Sequence, residues 1–276
     1  MKITTFVILL AVVLSACAPA ATPEPIGKPI TVEVGGRSMD IYCLGTGSPI
    51  VVLEGGLGAP YTYWSKVTRG MPAGMRVCTY DRSSSSHTSQ EYVEDLHALL
   101  IGAKLEGPYV LVGHSFGGLN VILYAHQYPE DVAGILLVDI THPDAFAHFL
   151  AVLPAESPDD SQGLKDMREW FGTAQHDVNG VDIATSCDQV RGVKSLGDIP
   201  LIVLTAAAPN PGWENLPAEV SGKMNQVHQD DQKTLTRLSS DSTQIIASTT
   251  NHTIFEDEPG LVIEAIIKLV QAARSK

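Results

Sequence analysis

Positive charge is scarce in this sequence: 18 Lys and Arg stand against 31 Asp and Glu, a formal net charge of -13. There is no basic run and no basic patch interleaved with aromatics. Phosphates would be repelled by such a surface, so a nucleic-acid partner is excluded. Cysteine is sparse as well, four in 276 residues, with no C-x-x-C and no Cys/His spacing of the metal-binding kind. The sequence therefore gives no reason to expect a metal. Beyond Leu14 no segment is long and apolar enough to span a bilayer. Internal repeats are missing, and so is a G-x-G-x-x-G dinucleotide motif. Charged residues reach only 18% and hydrophobic ones 44%, a balance that suits a sizeable core and not a disordered chain.

The amino terminus reads as a targeting segment. Lys2 supplies a positive charge, Phe6 to Leu14 an apolar stretch too short for a membrane span, and Leu14-Ser15-Ala16-Cys17 follows. That tetrad resembles the lipobox of bacterial lipoproteins, in which Cys17 would carry the lipid and become the first mature residue. Residues 18–29, rich in Ala, Pro and Thr, read as a tether. Export and lipid anchoring in the cell envelope are expected, with secretion after ordinary signal cleavage as the alternative. Membrane contact would then come through the lipid only. An oxidising compartment permits disulfides, and Cys43 and Cys78, each in an expected strand, are a plausible pair.

The remaining 30–276 read as one large domain. Ile30–Val34 and Met39–Cys43 flank Gly35-Gly36 as a hairpin. Short apolar runs at Ile50–Leu53, Arg76–Tyr80, Tyr109–Val112, Ile135–Val138, Leu201–Leu204 and Gln244–Ala247 read as buried strands. Helical periodicity marks Glu91–Leu105, Gly117–Tyr128, Val220–Leu238 and Leu261–Ala273. Strand–helix alternation implies an α/β fold, a mostly parallel sheet with helices on both faces and ligands at the carboxyl ends of the strands. The rhythm breaks over about 142–197, which reads as an inserted cap.

The strongest motif is Gly113-His114-Ser115-Phe116-Gly117, placed between an apolar strand and a helix. A sharp strand-to-helix turn needs glycine on both sides of the Ser, and it lifts the hydroxyl above the sheet. Ser115 is the expected nucleophile. Its base should sit in the loop after the last strand, and His252 does. The acid that orients His252 is less determined: Asp139 ends the strand after the Ser115 helix, and Glu214 is the alternative further along. Two backbone N–H groups would hold an oxyanion, from Phe116 and from Leu57 in the loop Glu54-Gly55-Gly56-Leu57-Gly58.

Together the Ser115 turn, the Gly loop, Tyr80-Asp81-Arg82 and the His252 loop resemble the α/β-hydrolase superfamily, from about Ile30 to the end. The resemblance implies an eight-stranded sheet, a cap over the site, no cofactor, and hydrolysis of a small-molecule ester through an acyl-enzyme. Ser at position 115 sets the chain apart from the similar dehalogenase and epoxide hydrolase branches, which use Asp there. Two departures stand out. Gly55-Gly56 replaces the more common His-Gly, and Ser83-Ser84-Ser85-Ser86-His87 replaces a longer Gly-containing loop. Phe146, Phe149, Leu150, Trp170 and Phe171 could line an acyl pocket or merely pack the cap. Amide or peptide hydrolysis is the rival chemistry, with acidic Glu156, Asp159 and Asp160 as a conceivable amine site. A non-catalytic ligand-binding member of the fold, or a structural envelope protein, is the rival class.

Overall fold

A computed structural model describes residues 27–172 and 178–275. The lipobox, Cys17 and most of the tether lie outside these residues. The strands are β1 (Pro29–Val34), β2 (Arg37–Leu44), β3 (Ile50–Glu54), β4 (Arg76–Tyr80), β5 (Tyr109–His114), β6 (Val132–Val138), β7 (Leu201–Thr205) and β8 (Ser242–Ile246). They form one sheet in the order β1-β2-β4-β3-β5-β6-β7-β8. β2 runs antiparallel to β1 and β4, and all other pairs are parallel.

The central strands are apolar throughout because both their faces are covered. Side chains alternate between two cores. Ile50, Val52, Leu111, Ile135 and Val203 face one, and Val51, Leu53, Val112, Leu136 and Leu204 face the other. The first core is closed by α2 (Ser89–Gly102), α3 (Gly117–Gln127) and the helices after β6. The second is closed by α1 (Ser65–Gly70), α8 (Ile254–Asp257) and α9 (Pro259–Arg274).

Local chemistry sets the helix ends. Thr88 and Glu91 form a capping box at the start of α2, in which the Glu91 carboxylate accepts from Thr88 N at 2.9 Å. Pro129 stands just past the end of α3, where its ring cannot continue the helix. Between β6 and β7 the cap region contains α4 (Ala145–Val152), α5 (Gln162–Gly172) and α6 (Ile183–Arg191). After β7 comes α7 (Ala218–Thr234), which packs on α4. The expected single helix over Val220–Leu238 instead tightens into a 3₁₀ turn at Leu235–Leu238. No helix among the described residues is long and apolar enough to cross a membrane.

Cys43 and Cys78 face each other across β2 and β4 and form a disulfide. Cys187, buried on α6, is free. Chain direction away from the sheet centre switches between β3 and β5. The crevice at the carboxyl ends of those strands is where such folds bind ligands.

Candidate active site

The turn from β5 into α3 carries Ser115 with φ = +53°, the left-handed region that a non-glycine residue enters only under constraint. Both flanking glycines are required by space. A Cβ on Gly113 would lie 2.8 Å from Gly118 Cα, and one on Gly117 would run into the backbone oxygen of Gly55. The turn therefore locks the Gly loop after β3 against the start of α3.

Asp139 follows β6, buried and also left-handed at φ = +44°. His252, in the loop after β8, donates through Nδ1 to Asp139 Oδ2 at 2.7 Å. With that proton committed, the other nitrogen, Nε2, keeps its lone pair. Asp139 Oδ1 accepts from Ala206 N and from His228 Nε2, each at 2.9 Å. Burial alone would raise the Asp139 pKa, but the hydrogen bonds from His228 and His252 outweigh it and hold the carboxyl well below the usual range. His228 answers in kind: burial pulls its pKa down, the Asp139 bond more than offsets this, and the value lies above that of an ordinary imidazole.

His114, inside the turn, points away from the cavity and is fully buried. Its Nε2 donates to the backbone oxygen of His252 at 3.0 Å, so its Nδ1 accepts from the Tyr63 hydroxyl at 3.2 Å. Burial first, and the neighbouring His252 second, push the His114 pKa down to about 3. A neutral ring thus ties the His252 loop to the turn that bears Ser115.

The Gly loop is fixed from below. Buried Glu54 receives Arg82 Nη1 at 2.7 Å, Asn120 Nδ2 at 2.8 Å and the Tyr80 hydroxyl. Arg82 also donates to the carbonyl of Gly55 at 2.6 Å and to that of Gly56. These bonds turn the carbonyls of the loop towards Arg82. The backbone hydrogen bonds of the two turns run from Ala59 N to Gly56 O at 3.2 Å and from Gly118 N to Ser115 O at 3.1 Å. They do not use the amides of Leu57 or Phe116.

Ser115, His252, Leu57 and Phe116 line one cavity of about 400 Å³. The cap contributes Phe146, Phe149, Trp170 and Phe171, and the loop after β7 adds Trp213. Leu150 packs on the core instead. A wider cleft lies at the opposite end of the sheet, against Pro108 and Pro200, and holds none of these groups.

Glu214, the alternative acid, lies exposed at the end of the short turn Pro211–Trp213. The carboxylate on His252 is that of Asp139. The reason is topological: the loop after β7 turns its Trp213 inward and leaves Glu214 outside. Asp160, in the acidic turn of the cap, is engaged by Arg168 at 2.7 Å and Ser157 N at 3.0 Å. The Ser-rich loop after Arg82 is also committed. Ser86 donates to buried Asp95 at 2.6 Å, and Asp95 pairs with Arg37.

Sequence reasoning does not single out His228 and offers no role for Glu54. It also does not group His142, His148 and Asp231, whose donor atoms come within 4.8 Å of one another. The buried polar character of Glu54, in an otherwise apolar strand beside Tyr80-Asp81-Arg82, is the one signal that could have marked its role. Nothing in spacing could have linked His228 to Asp139, 89 positions apart.

A family model described as "Alpha/beta hydrolase family" matches residues 50–265. The uncharacterized protein YqjL of Bacillus subtilis is 28% identical over 244 residues, covering 83% of this chain and 86% of that protein. An esterase from Thermogutta terrifontis superposes with a TM-score of 0.60 at 16% identity, over 90% of this chain and 99% of its own. A structure described as a probable hydrolytic enzyme of Pseudomonas aeruginosa PAO1 gives 0.59 at 18% identity, over 88% and 93%. Those two structural likenesses speak for the fold.

Proposed function

The chain belongs to the alpha/beta hydrolase family, and from that premise we propose that it cleaves a carboxylic ester through an acyl-enzyme on Ser115. The observation that carries this reading is the shared cavity: Ser115 on its constrained turn faces the same space as His252, whose far nitrogen is held by a buried, ionised Asp139.

In this mechanism Ser115 Oγ attacks the ester carbonyl carbon as His252 Nε2 takes the hydroxyl proton. Asp139 stabilises the imidazolium, and the amides of Leu57 and Phe116 hold the oxyanion. The tetrahedral adduct collapses, the C–O bond to the alcohol breaks, and His252 returns the proton to that alcohol. Water then attacks the acyl carbon by the same route and releases the acid and Ser115. An apolar acyl group suits the aromatic cap wall. Amide hydrolysis finds less support, because none of Glu156, Asp159 and Asp160 lines the cavity of Ser115, and Asp160 is already bound to Arg168.

The proposal extends to location: export and lipid attachment at Cys17, for which the Cys43–Cys78 disulfide supplies a compatible observation. Growth with labelled fatty acid would label the wild-type chain and not Cys17→Ala.

Matched p-nitrophenyl esters and p-nitroanilides test the chemistry. Turnover of the esters that is lost in Ser115→Ala supports the proposal. Turnover of anilides alone would replace it with amide hydrolysis. Tight retention of an acyl ligand without turnover of either substrate would favour a binding protein.

A further inference from the structure

We propose that His142, His148 and Asp231 form a zinc-class metal site that clamps the cap to the body of the protein at the wall of the substrate cavity. The three residues come from separate elements: His142 from the loop after β6, His148 from α4 and Asp231 from α7. His148 Nδ1 lies 2.6 Å from Asp231 Oδ1, and His142 Nδ1 lies 3.9 Å from the same oxygen. A tetrahedral zinc ion with bonds of about 2.0–2.2 Å spaces its donors roughly 3.4 Å apart. The two separations from Asp231 bracket that value and all the donor atoms lie within 4.8 Å of one another, so loading the site opens the His148–Asp231 pair and draws the other donors in.

Two further features point to a ligand. Asp231 is 5% exposed, and its Oδ2 has no hydrogen-bond partner among the described residues. A buried carboxylate oxygen without a donor is costly, and a divalent cation would satisfy it. The tautomer of His142 is also already set for ligation. The Thr234 hydroxyl donates to the carbonyl of Asp231 at 2.8 Å, so at 3.0 Å it must accept from His142 Nε2. That leaves the lone pair on Nδ1, the nitrogen that faces Asp231. Metal-bound imidazoles are oriented in this way, by a hydrogen bond from the nitrogen that does not bind the ion. The Asp144 N–H, which shares that lone pair at 3.1 Å, gives way when the ion binds.

Two imidazoles and a carboxylate match zinc and its neighbours better than calcium or magnesium. For His148 to bind through Nδ1, the proton that this nitrogen shares with Asp231 leaves it and Nε2 takes one up from solvent, so the ring changes tautomer with no net release of a proton. Three protein ligands leave a fourth position for water or a substrate oxygen. His142 and Asp231 both line the cavity that holds Ser115.

The test uses the purified full chain, stripped with chelator and titrated with Zn²⁺ by calorimetry and with Co²⁺ by visible absorption. One equivalent should bind with micromolar affinity or tighter, raise the melting temperature, and give the Co²⁺ band of a site with nitrogen and oxygen donors. His148→Ala and Asp231→Asn should each weaken binding by more than about 100-fold, beyond what loss of an outer partner does. His97→Ala, a histidine elsewhere, should leave it unchanged. His148 is about half exposed (47% of its side chain), so its replacement spares the core and the variant remains a fair test. No saturable binding by the wild type, or equal binding by both ligand variants, would overturn the proposal. The outcome is independent of ester hydrolysis, since none of these readouts requires turnover.

Discussion

At the scale of single residues, Asp139 carries more than one task. Its two oxygens serve His252, His228 and Ala206 N. Asp139→Asn presents His252 with an amide where the carboxylate stood, and kcat should fall by about 10³–10⁴-fold, the scale known for loss of a triad acid. His228→Phe removes one donor while Ala206 N and His252 remain. An intermediate loss, on the order of tenfold in kcat with KM little changed, is expected from one charge-assisted hydrogen bond acting at second hand. Steady-state kinetics on the two variants checks the order.

His114 gives a pH prediction. Its ordinary value is 6.5 and burial brings it to about 3 in the folded state. Between these values the unfolded chain binds a proton that the folded chain does not. Stability therefore rises with pH across this window, and is lost on acidification at ~1.4 kcal/mol per pH unit. His228, whose pKa is raised, acts in a different window: its contribution is full below its ordinary 6.5 and is lost as pH climbs through its folded value. Urea unfolding between about pH 4 and pH 6 should show a slope in the wild type that is shallower by one proton in His114→Gln.

The residues that meet in the cavity were legible where the signal is local. Ser115 is announced by five contiguous positions and their flanks, and His252 by its place after the last strand. Asp139 was legible only as one of two candidates, because a strand end offers a carboxylate without saying which ring will reach it. His228 and the His142–His148–Asp231 group were illegible. α7 brings His228 to Asp139 at the end of β6 and Asp231 to His148 on α4, across 89 and 83 positions of sequence.

At the scale of elements, the Gly loop after β3 depends on a buried ion pair beneath it. Arg82 and Glu54 have side chains only 9% and 1% exposed. Removing one partner leaves the other charge buried and unpaired, so Arg82→Ala should cost about 3–5 kcal/mol. The double change Glu54→Gln with Arg82→Met should cost less than the sum of the two single changes, and denaturant melts of all four proteins measure that coupling. Activity should fall with Arg82→Ala as well, since the carbonyls of Gly55 and Gly56 lose the group that orients them. Central strands were readable from sequence because burial on both faces makes them continuous apolar runs. Their ends were less so: β6 begins at Val132 and β5 continues to His114. The break of α7 at Thr234 also left no mark, because Leu235 and Leu238 continue the apolar spacing through it.

For the molecule as a whole, one covalent tie links the antiparallel edge to the parallel centre. Cys43 and Cys78 are separated by 35 positions, and closing a loop of that size stabilises the fold by about 4 kcal/mol in the chain-entropy account. A Cys43→Ala, Cys78→Ala protein should be less stable by that order in urea unfolding. Cys187 does not compete for either partner: burial raises its thiol pKa to about 12 and keeps it protonated. The charge of -13 and the aromatic-walled cavity together describe an acidic exterior around an apolar interior pocket.

The central claim is that Ser115 is an activated nucleophile, and a fluorophosphonate probe reports this whatever the natural substrate. Labelling should be stoichiometric and map to Ser115 by mass spectrometry, absent in Ser115→Ala and strongly slowed in His252→Ala and Asp139→Asn, with Glu214→Gln labelled like the wild type. A well-folded wild-type protein that takes no label, or one labelled at another serine, would contradict it.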